Sequence, residues 1–331
     1  MRRRLGGASA ALLAAGLVAG LVAGLAACAP PGARELTGDL STHDPALARE
    51  GDTWYVYSTG SETSDHGTIQ IRSSEDGTHW VSRGTVWDEQ PEWIETAIPG
   101  VKNLWAPELV EHDGTWYLYY SASTFGKNTS LIALATNETL DPEDPEYEWV
   151  DRGAVLESSS RDDFNAIDAA VVDDDGTPWM AFGSFWSGIR MVELAWPSGL
   201  RADASEPLRL ADRGAPPNAV EAPYLVEHDG DWFLFVSRDA CCQGLDSTYS
   251  IAVGRADEVT GPYLDRDGTP MLLDGHEPVL EAEGDRIGPG GQSVFGDTLA
   301  LHYYDARLDG AFQLALVPLR WDAEGWPVAD W

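Results

Sequence analysis

The sequence predicts an all-β fold, a five-bladed β-propeller with its candidate site at one mouth of the central channel. Three observations predict it. Short alternating runs of Trp, Tyr, Val, Leu and Phe lie between Asp-Gly and Gly-Asp turns, and 3.6-residue periodicity is nearly missing; this is the pattern of strands joined by hairpins. One hairpin pattern then recurs along the chain at the spacing of a four-stranded blade. Its first position is repeatedly an acid or an aromatic residue, which a merely structural strand start has no use for.

Taken in order, the chain begins with an address. Met1-Arg2-Arg3-Arg4 is cationic, and Leu5 to Ala27 is an uncharged run of Ala, Gly, Leu and Val, the head and body of an export signal. It closes with Leu25-Ala26-Ala27-Cys28. That stretch resembles a bacterial lipoprotein lipobox, so Cys28 is expected to be lipidated and to become the mature N-terminus. A plain transmembrane anchor is the other reading of about 20 apolar residues. The expected organisation is a signal over 1–28, a linker over 29–38 and a propeller over 39–331. The propeller is expected outside the cytoplasmic membrane, as a monomer that meets the membrane only through its N-terminal lipid.

The copies follow. Trp105–Trp116, Asp168–Trp179 and Glu221–Trp232 share one eleven-residue spacing, Asp44–Trp54 is one shorter, and Gln292–Tyr304 is a degenerate fifth. The Trp positions 54, 116, 179 and 232 step by 62, 63 and 53 residues. A third strand comes after each hairpin, at Ile69–Ile71, Leu131–Leu134, Ile189–Val192, Ile251–Val253 and Phe312–Leu316. A β-sandwich with look-alike hairpins would not need that shared spacing. In a propeller the first strand of each blade lines the channel. Equivalent starts therefore form a ring: Asp44, Trp105, Asp168, Glu221 and a position near Gly290.

Composition narrows the partners. The 331 residues carry 55 acids against 21 Lys and Arg, a formal charge of −34. Such a field repels nucleic acid and anionic lipid but leaves neutral substrates untouched. Three cysteines cannot staple a chain of this length. The ring suggests its own chemistry. Two carboxyl groups across a cleft, one protonated and one ionised, are the minimum apparatus for glycoside hydrolysis, and a third can hold the donor's proton in place. Trp105, Phe125, Phe185 and Trp186 can stack on the apolar faces of sugars. Calcium binding is the rival use of an acid cluster.

Four segments carry a resemblance: Thr42–Leu47, Asn103–Glu108, Asn165–Asp168 and Val220–Tyr224. Together with Ser123–Ile132, Phe182–Ile189, Ser247–Arg255 and Arg320–Pro327, they make the chain similar to glycoside hydrolase family 43, and most of all to its endo-α-1,5-L-arabinanases. The resemblance implies Asp44 as general base, Asp168 as pKa modulator and Glu221 as general acid of an inverting single displacement. Asp44 and Glu221 should then stand about 6.5–9.5 Å apart. It also implies Trp105, Phe125 and Trp186 as sugar platforms, with Asn165 and Ser184 near the reacting ring. The implied substrate is plant cell-wall arabinan or its oligosaccharides. Exo-acting arabinofuranosidase or β-xylosidase action, or non-catalytic glycan binding, are the alternatives.

Some residues stand apart. Glu108 lies three positions past the ring residue Trp105, so strand alternation is expected to turn it away from the channel into a structural role. No cofactor is required, although the resemblance leaves room for a channel calcium. Relatives often hold it with a His in Gly-Pro-Gly-His, whereas this chain has Gly288-Pro289-Gly290-Gly291, leaving His302 as the nearest imidazole. The metal is left unassigned. Cys241-Cys242 admits either a vicinal disulfide or two loop thiols. His43 either tunes Asp44 or only ends its strand. His112 and His228, in matching Glu-His-Asp-Gly turns, are expected at hairpins.

Overall fold

The computed structural model describes residues 33–63 and 67–331. The export signal, the Cys28 lipobox and the first residues of the linker lie outside them. Five antiparallel sheets follow one another along the chain, each opening with its hairpin. Blade one comprises Ala46–Glu50, Thr53–Ser58, Gln70–Ser74 and His79–Thr85, with Thr37–Gly38 added in parallel at its outer edge. Blade two is Leu104–His112, Thr115–Ala122, Ser130–Asn137 and Val150–Ser158. Blade four is Val220–His228, Asp231–Arg238, Ser250–Ala256 and Glu277–Leu280, and blade five is Arg286–Phe295, Thr298–Asp305, Ala311–Trp321 and Pro327–Ala329.

Blade three departs from the pattern. After Ala170–Asp174, Thr177–Phe182 and Ile189–Ala195, its outer edge is split between Leu200–Arg201 and Leu208–Ala211, both paired to the third strand. A short helix, Glu92–Ala97, sits between blades one and two with Ile94 fully buried beneath it. Each inner strand abuts the next around the channel, the fifth meeting the first.

Side chains close the circle. Ser293 Oγ donates to the Pro45 carbonyl at 2.6 Å and accepts from Leu47 N–H at 3.1 Å, tying blade five to blade one. The segment before blade one helps, with Arg34 N–H on the Leu316 carbonyl and Leu314 N–H on the Leu40 carbonyl. Core layers fill the spaces between blades. Tyr57, Leu118, Tyr120 and Ala133 pack in one, and Phe233, Phe235, Leu299 and Val317 in another. At the far ends of the hairpins His112 stacks on Trp196 at 4.2 Å and His228 on Trp321 at 3.7 Å. Those two histidines cover aromatic edges.

Candidate active site

Each inner strand starts with a kink. Asp44, Ala106, Asp168, Ala222 and Gly291 occupy equivalent places, with φ of 51°, 42°, 61°, 48° and 58°. Side chains rarely adopt that left-handed backbone, and where they do it clusters at functional sites. In blades two, four and five the kink is a bulge. From Trp105 to Glu108, from Glu221 to Tyr224 and from Gly290 to Ser293, the inner strand advances three residues while its partner advances two.

The bulge corrects the sequence-derived ring. Asp44 and Asp168 are equivalents of Ala106 and Ala222, whereas Trp105 and Glu221 each sit one residue earlier. This explains why the first copy looked one residue short. In blade three the Trp is displaced by Pro178: Thr177 pairs with Asp174 as Thr115 pairs with His112. The three acids nevertheless converge. Asp44 and Asp168 line one channel cavity with Ala222 beside Glu221, and the charges of all three act on one another.

Asp44 is gripped from three sides. Its Oδ2 lies 2.8 Å from His43 Nδ1 and accepts from Thr59 Oγ1 at 2.7 Å, while His302 Nδ1 lies 3.6 Å from Oδ1. Burial alone would raise this carboxyl. The charge and hydrogen bond of His43, with help from Thr59, outweigh it and hold the pKa at about 2. Asp44 is therefore ionised at any working pH. Behind it runs a relay that the sequence did not reveal. Cys242 N–H donates to Tyr304 Oη at 2.8 Å, and Tyr304 Oη lies 3.1 Å from His43 Nε2. The Tyr304 hydroxyl on Nε2 thus fixes the ring of His43 so that Nδ1 faces Asp44.

Glu221 and Asp168 form the opposite half. Burial raises Glu221, the hydrogen bonds of Ser184 and Tyr249 pull it down, and the Asp44 charge raises it again, for a net upward shift. Burial also raises Asp168, and the charges of Glu221 and Asp44 push it further. Two buried carboxyls that repel one another hold a shared proton to higher pH than either would alone. The hydrogen bonds bear on where it resides. Asp168 Oδ2 accepts from Ala222 N–H at 3.1 Å, and Ser184 Oγ donates to Glu221 Oε2 at 2.6 Å. Ser184 engages Oε2, while Oε1 is buried without a well-formed hydrogen bond, the Tyr249 hydroxyl being the nearby group that steadies the charged form.

Glu108 overturns its expected orientation. Because the bulge consumes one residue, Glu108 is two steps, not three, past the kink at Ala106, so it faces the channel and lines the same cavity as Asp44 and Asp168. Burial pushes its carboxyl up to about 8, only partly offset by backbone N–H groups of Val171 and Leu109. A carboxyl whose folded pKa lies above its unfolded value of 4.5 stabilises fully below that value and loses the contribution as pH rises through 8. The slope is about 1.4 kcal/mol per pH unit in between. Glu108→Gln should therefore melt like the parent at pH 4.5 and several degrees above it at pH 8.5, in calorimetry of both proteins. Parallel melting curves at the two pH values would refute a neutral Glu108.

The remaining candidates divide. Phe125 is 82% exposed and Trp186 39%, both on loops beside the mouth, while Trp105 is half-buried at the ring. Asn165 is buried, its Oδ1 taken by Ser130 Oγ at 2.7 Å, so it braces the strand start. Cys241 and Cys242 form a disulfide. Gly291 stands where the family motif has its histidine, and a Cβ there would sit 2.8 Å from the His302 ring and 2.4 Å from Asp44 Oδ1. His302 fills the space instead, fully buried and stacked on His43 at 3.7 Å. Burial holds its pKa well down, so it is neutral.

His43, Asp44 and His302 bring ligand atoms within 4.8 Å of one another, yet His43 and Asp44 are committed to each other. Only His302 Nε2 is buried without a partner. Calcium wants six to eight oxygens, so a chelate by all three side chains does not fit. Nor does a cation on that one nitrogen, because His302 Nδ1 accepts from Asp44 N–H at 3.1 Å, which leaves the proton of the neutral ring on Nε2.

A five-bladed propeller with an ionised acid facing a proton-sharing acid pair at its channel mouth has the apparatus of a glycoside hydrolase. The comparisons agree: the family model described as glycosyl hydrolases family 43 matches residues 37–327, and this chain belongs to that family. It is 39% identical over 309 residues to an extracellular exo-α-(1→5)-L-arabinofuranosidase of Cellvibrio japonicus, covering 88% of this chain and 87% of that one. It is also 39% identical over 292 residues to an extracellular endo-α-(1→5)-L-arabinanase of Bacillus subtilis, covering 86% of each. Among solved structures, a family 43 endo-arabinanase from Bacillus licheniformis superimposes with a TM-score of 0.83 at 38% identity, covering 89% of this chain and 99% of that one.

Proposed function

We propose that this protein is an inverting arabinanase that cleaves internal α-1,5-L-arabinofuranosyl bonds in a single displacement. The observation that carries the reading is the split between its acids. Asp44 is held ionised near pKa 2, as a base toward water must be, while Glu221 and Asp168 are pushed up together, as a donor and its modulator must be. Glu221 delivers a proton from Oε1 to the leaving oxygen. Asp168 keeps that proton available through its charge and fixes the backbone beside Glu221. Asp44 removes a proton from the water that attacks the opposite face of the sugar.

Internal cleavage is the finer claim. It is supported by Phe125, a sugar platform standing well out on the rim, where a chain running past the ring would meet it. Relatives are named for both endo and exo action, so the test is the product pattern. On linear arabinan the purified protein should first release a ladder of oligosaccharides. Arabinose alone from the earliest time points would refute endo action and leave the exo reading. Both of these relatives are named as extracellular, and we read the N-terminal signal with Cys28 as export followed by lipid anchoring.

A further inference from the structure

In every blade the first strand starts at the mouth, so the antiparallel second strand ends there, and the loop joining second to third strand decorates the rim. Blades two and three place Phe125 and Trp186 on these loops. Blades four and five carry a different set: the Cys241–Cys242 disulfide and Leu245 on one loop, Leu308 on the next, and Phe312 just beyond it. On a chain of formal charge −34, this rim gathers five of the ten large hydrophobic side chains exposed among the described residues: Phe125, Trp186, Leu245, Leu308 and Phe312. The blade-four and blade-five loops are joined into one ledge. A Cβ on Gly310 would lie 2.9 Å from Leu245 N, so only glycine allows the two backbones to meet. The ledge also touches the catalytic ring. Cys242 Sγ lies 3.9 Å from His43 Nε2, and the Phe312 ring stands edge-on to His43 at 5.3 Å between centroids.

We propose that this ledge of the Cys241–Cys242 disulfide, Leu245, Leu308 and Phe312 is a second sugar platform, which takes arabinofuranose units on the side of the ring away from Phe125 and Trp186. The proposal rests on the arabinanase reading and gives it a second binding arm. The occupant is a neutral polysaccharide because the four side groups are apolar, the one cation on these loops, Arg307, is paired with Asp305 at 2.6 Å, and the ledge runs into His43 and hence Asp44. Furanose rings present apolar faces that flat side chains and a polarisable disulfide can cover. A chain held on both arms has its scissile bond stretched across the carboxyls, the geometry that internal cleavage needs.

The test compares Phe312→Ala and Leu245→Ser, both at exposed positions, with the parent on linear α-1,5-arabino-oligosaccharides from the trimer up to the polymer. The loss in kcat/KM should grow with chain length to about tenfold on the polymer, the worth of one good stacking contact. A loss equal at every length would reduce Phe312 to a prop for His43 and overturn the platform, as would no loss at all. Calorimetric binding of the longest soluble oligosaccharide to Glu221→Ala, with and without Phe312→Ala, reads the ledge independently of hydrolysis. Weaker binding with the second substitution supports the ledge even if the parent cleaves nothing, an outcome that would sink only the hydrolase reading. Unchanged binding refutes the ledge even if the parent is a competent arabinanase.

Discussion

Glu221→Ala should lower kcat on linear arabinan by about three to four orders of magnitude, near the upper end of what general acid catalysis supplies, while leaving oligosaccharide affinity nearly intact. The reason lies in the leaving group. A sugar alkoxide is a strong base and cannot depart without a proton, and in the proposed mechanism it comes from Glu221 Oε1, which is buried without a well-formed hydrogen bond. An aryl arabinofuranoside with an acidic phenol departs without that help. The same variant should therefore retain most of its activity on a nitrophenyl substrate. Steady-state kinetics on the two substrates separate the roles. A loss of the same size on both would mean that Glu221 holds the sugar or the fold rather than the proton, and no loss on either would remove it from the mechanism.

The repeat made the propeller legible, because each blade needs the same hairpin. Turns of the Glu-His-Asp-Gly kind, the Trp near each second-strand start, and the alternating third strands all lie close together along the chain. What escaped was set by distance or by irregularity. The helix Glu92–Ala97 is too short to show a period. The outer edge of blade three is broken into two pieces that no alternation marks. The bulge after Trp105 shifted the count by one and turned Glu108 into the channel, since a spacing in sequence cannot register a residue that the ladder skips.

The acids themselves could be read because symmetry brings equivalent positions together whatever their separation. Their partners could not. Tyr304 reaches His43 across 261 positions, and Ser184 reaches Glu221 from the loop of a neighbouring blade. No repeat requires these contacts, yet they decide which carboxyl is ionised. The absent family histidine is the instructive case. Its place is a glycine whose missing side chain leaves room beside Asp44 for another ring, and that imidazole comes from His302 on the next strand.

Asp44→Asn should cost at least as much as loss of the acid, about three orders of magnitude or more, and a better leaving group should not restore it. Asparagine keeps the shape of the side chain and can still accept from Thr59, but it cannot take a proton from water. In a single displacement the water attacks in the same step that breaks the glycosidic bond, so a deficient base slows every substrate alike. The contrast with Glu221→Ala is the diagnostic: one variant recovers on the nitrophenyl substrate and the other does not. The stereochemistry of the parent supplies the second arm. Proton NMR taken during the first turnovers should show the β-anomer appearing before mutarotation, since attack opposite an α-bond inverts the centre. First appearance of the α-anomer would demand a covalent intermediate on the enzyme, and Asp44 would then be a nucleophile rather than a base.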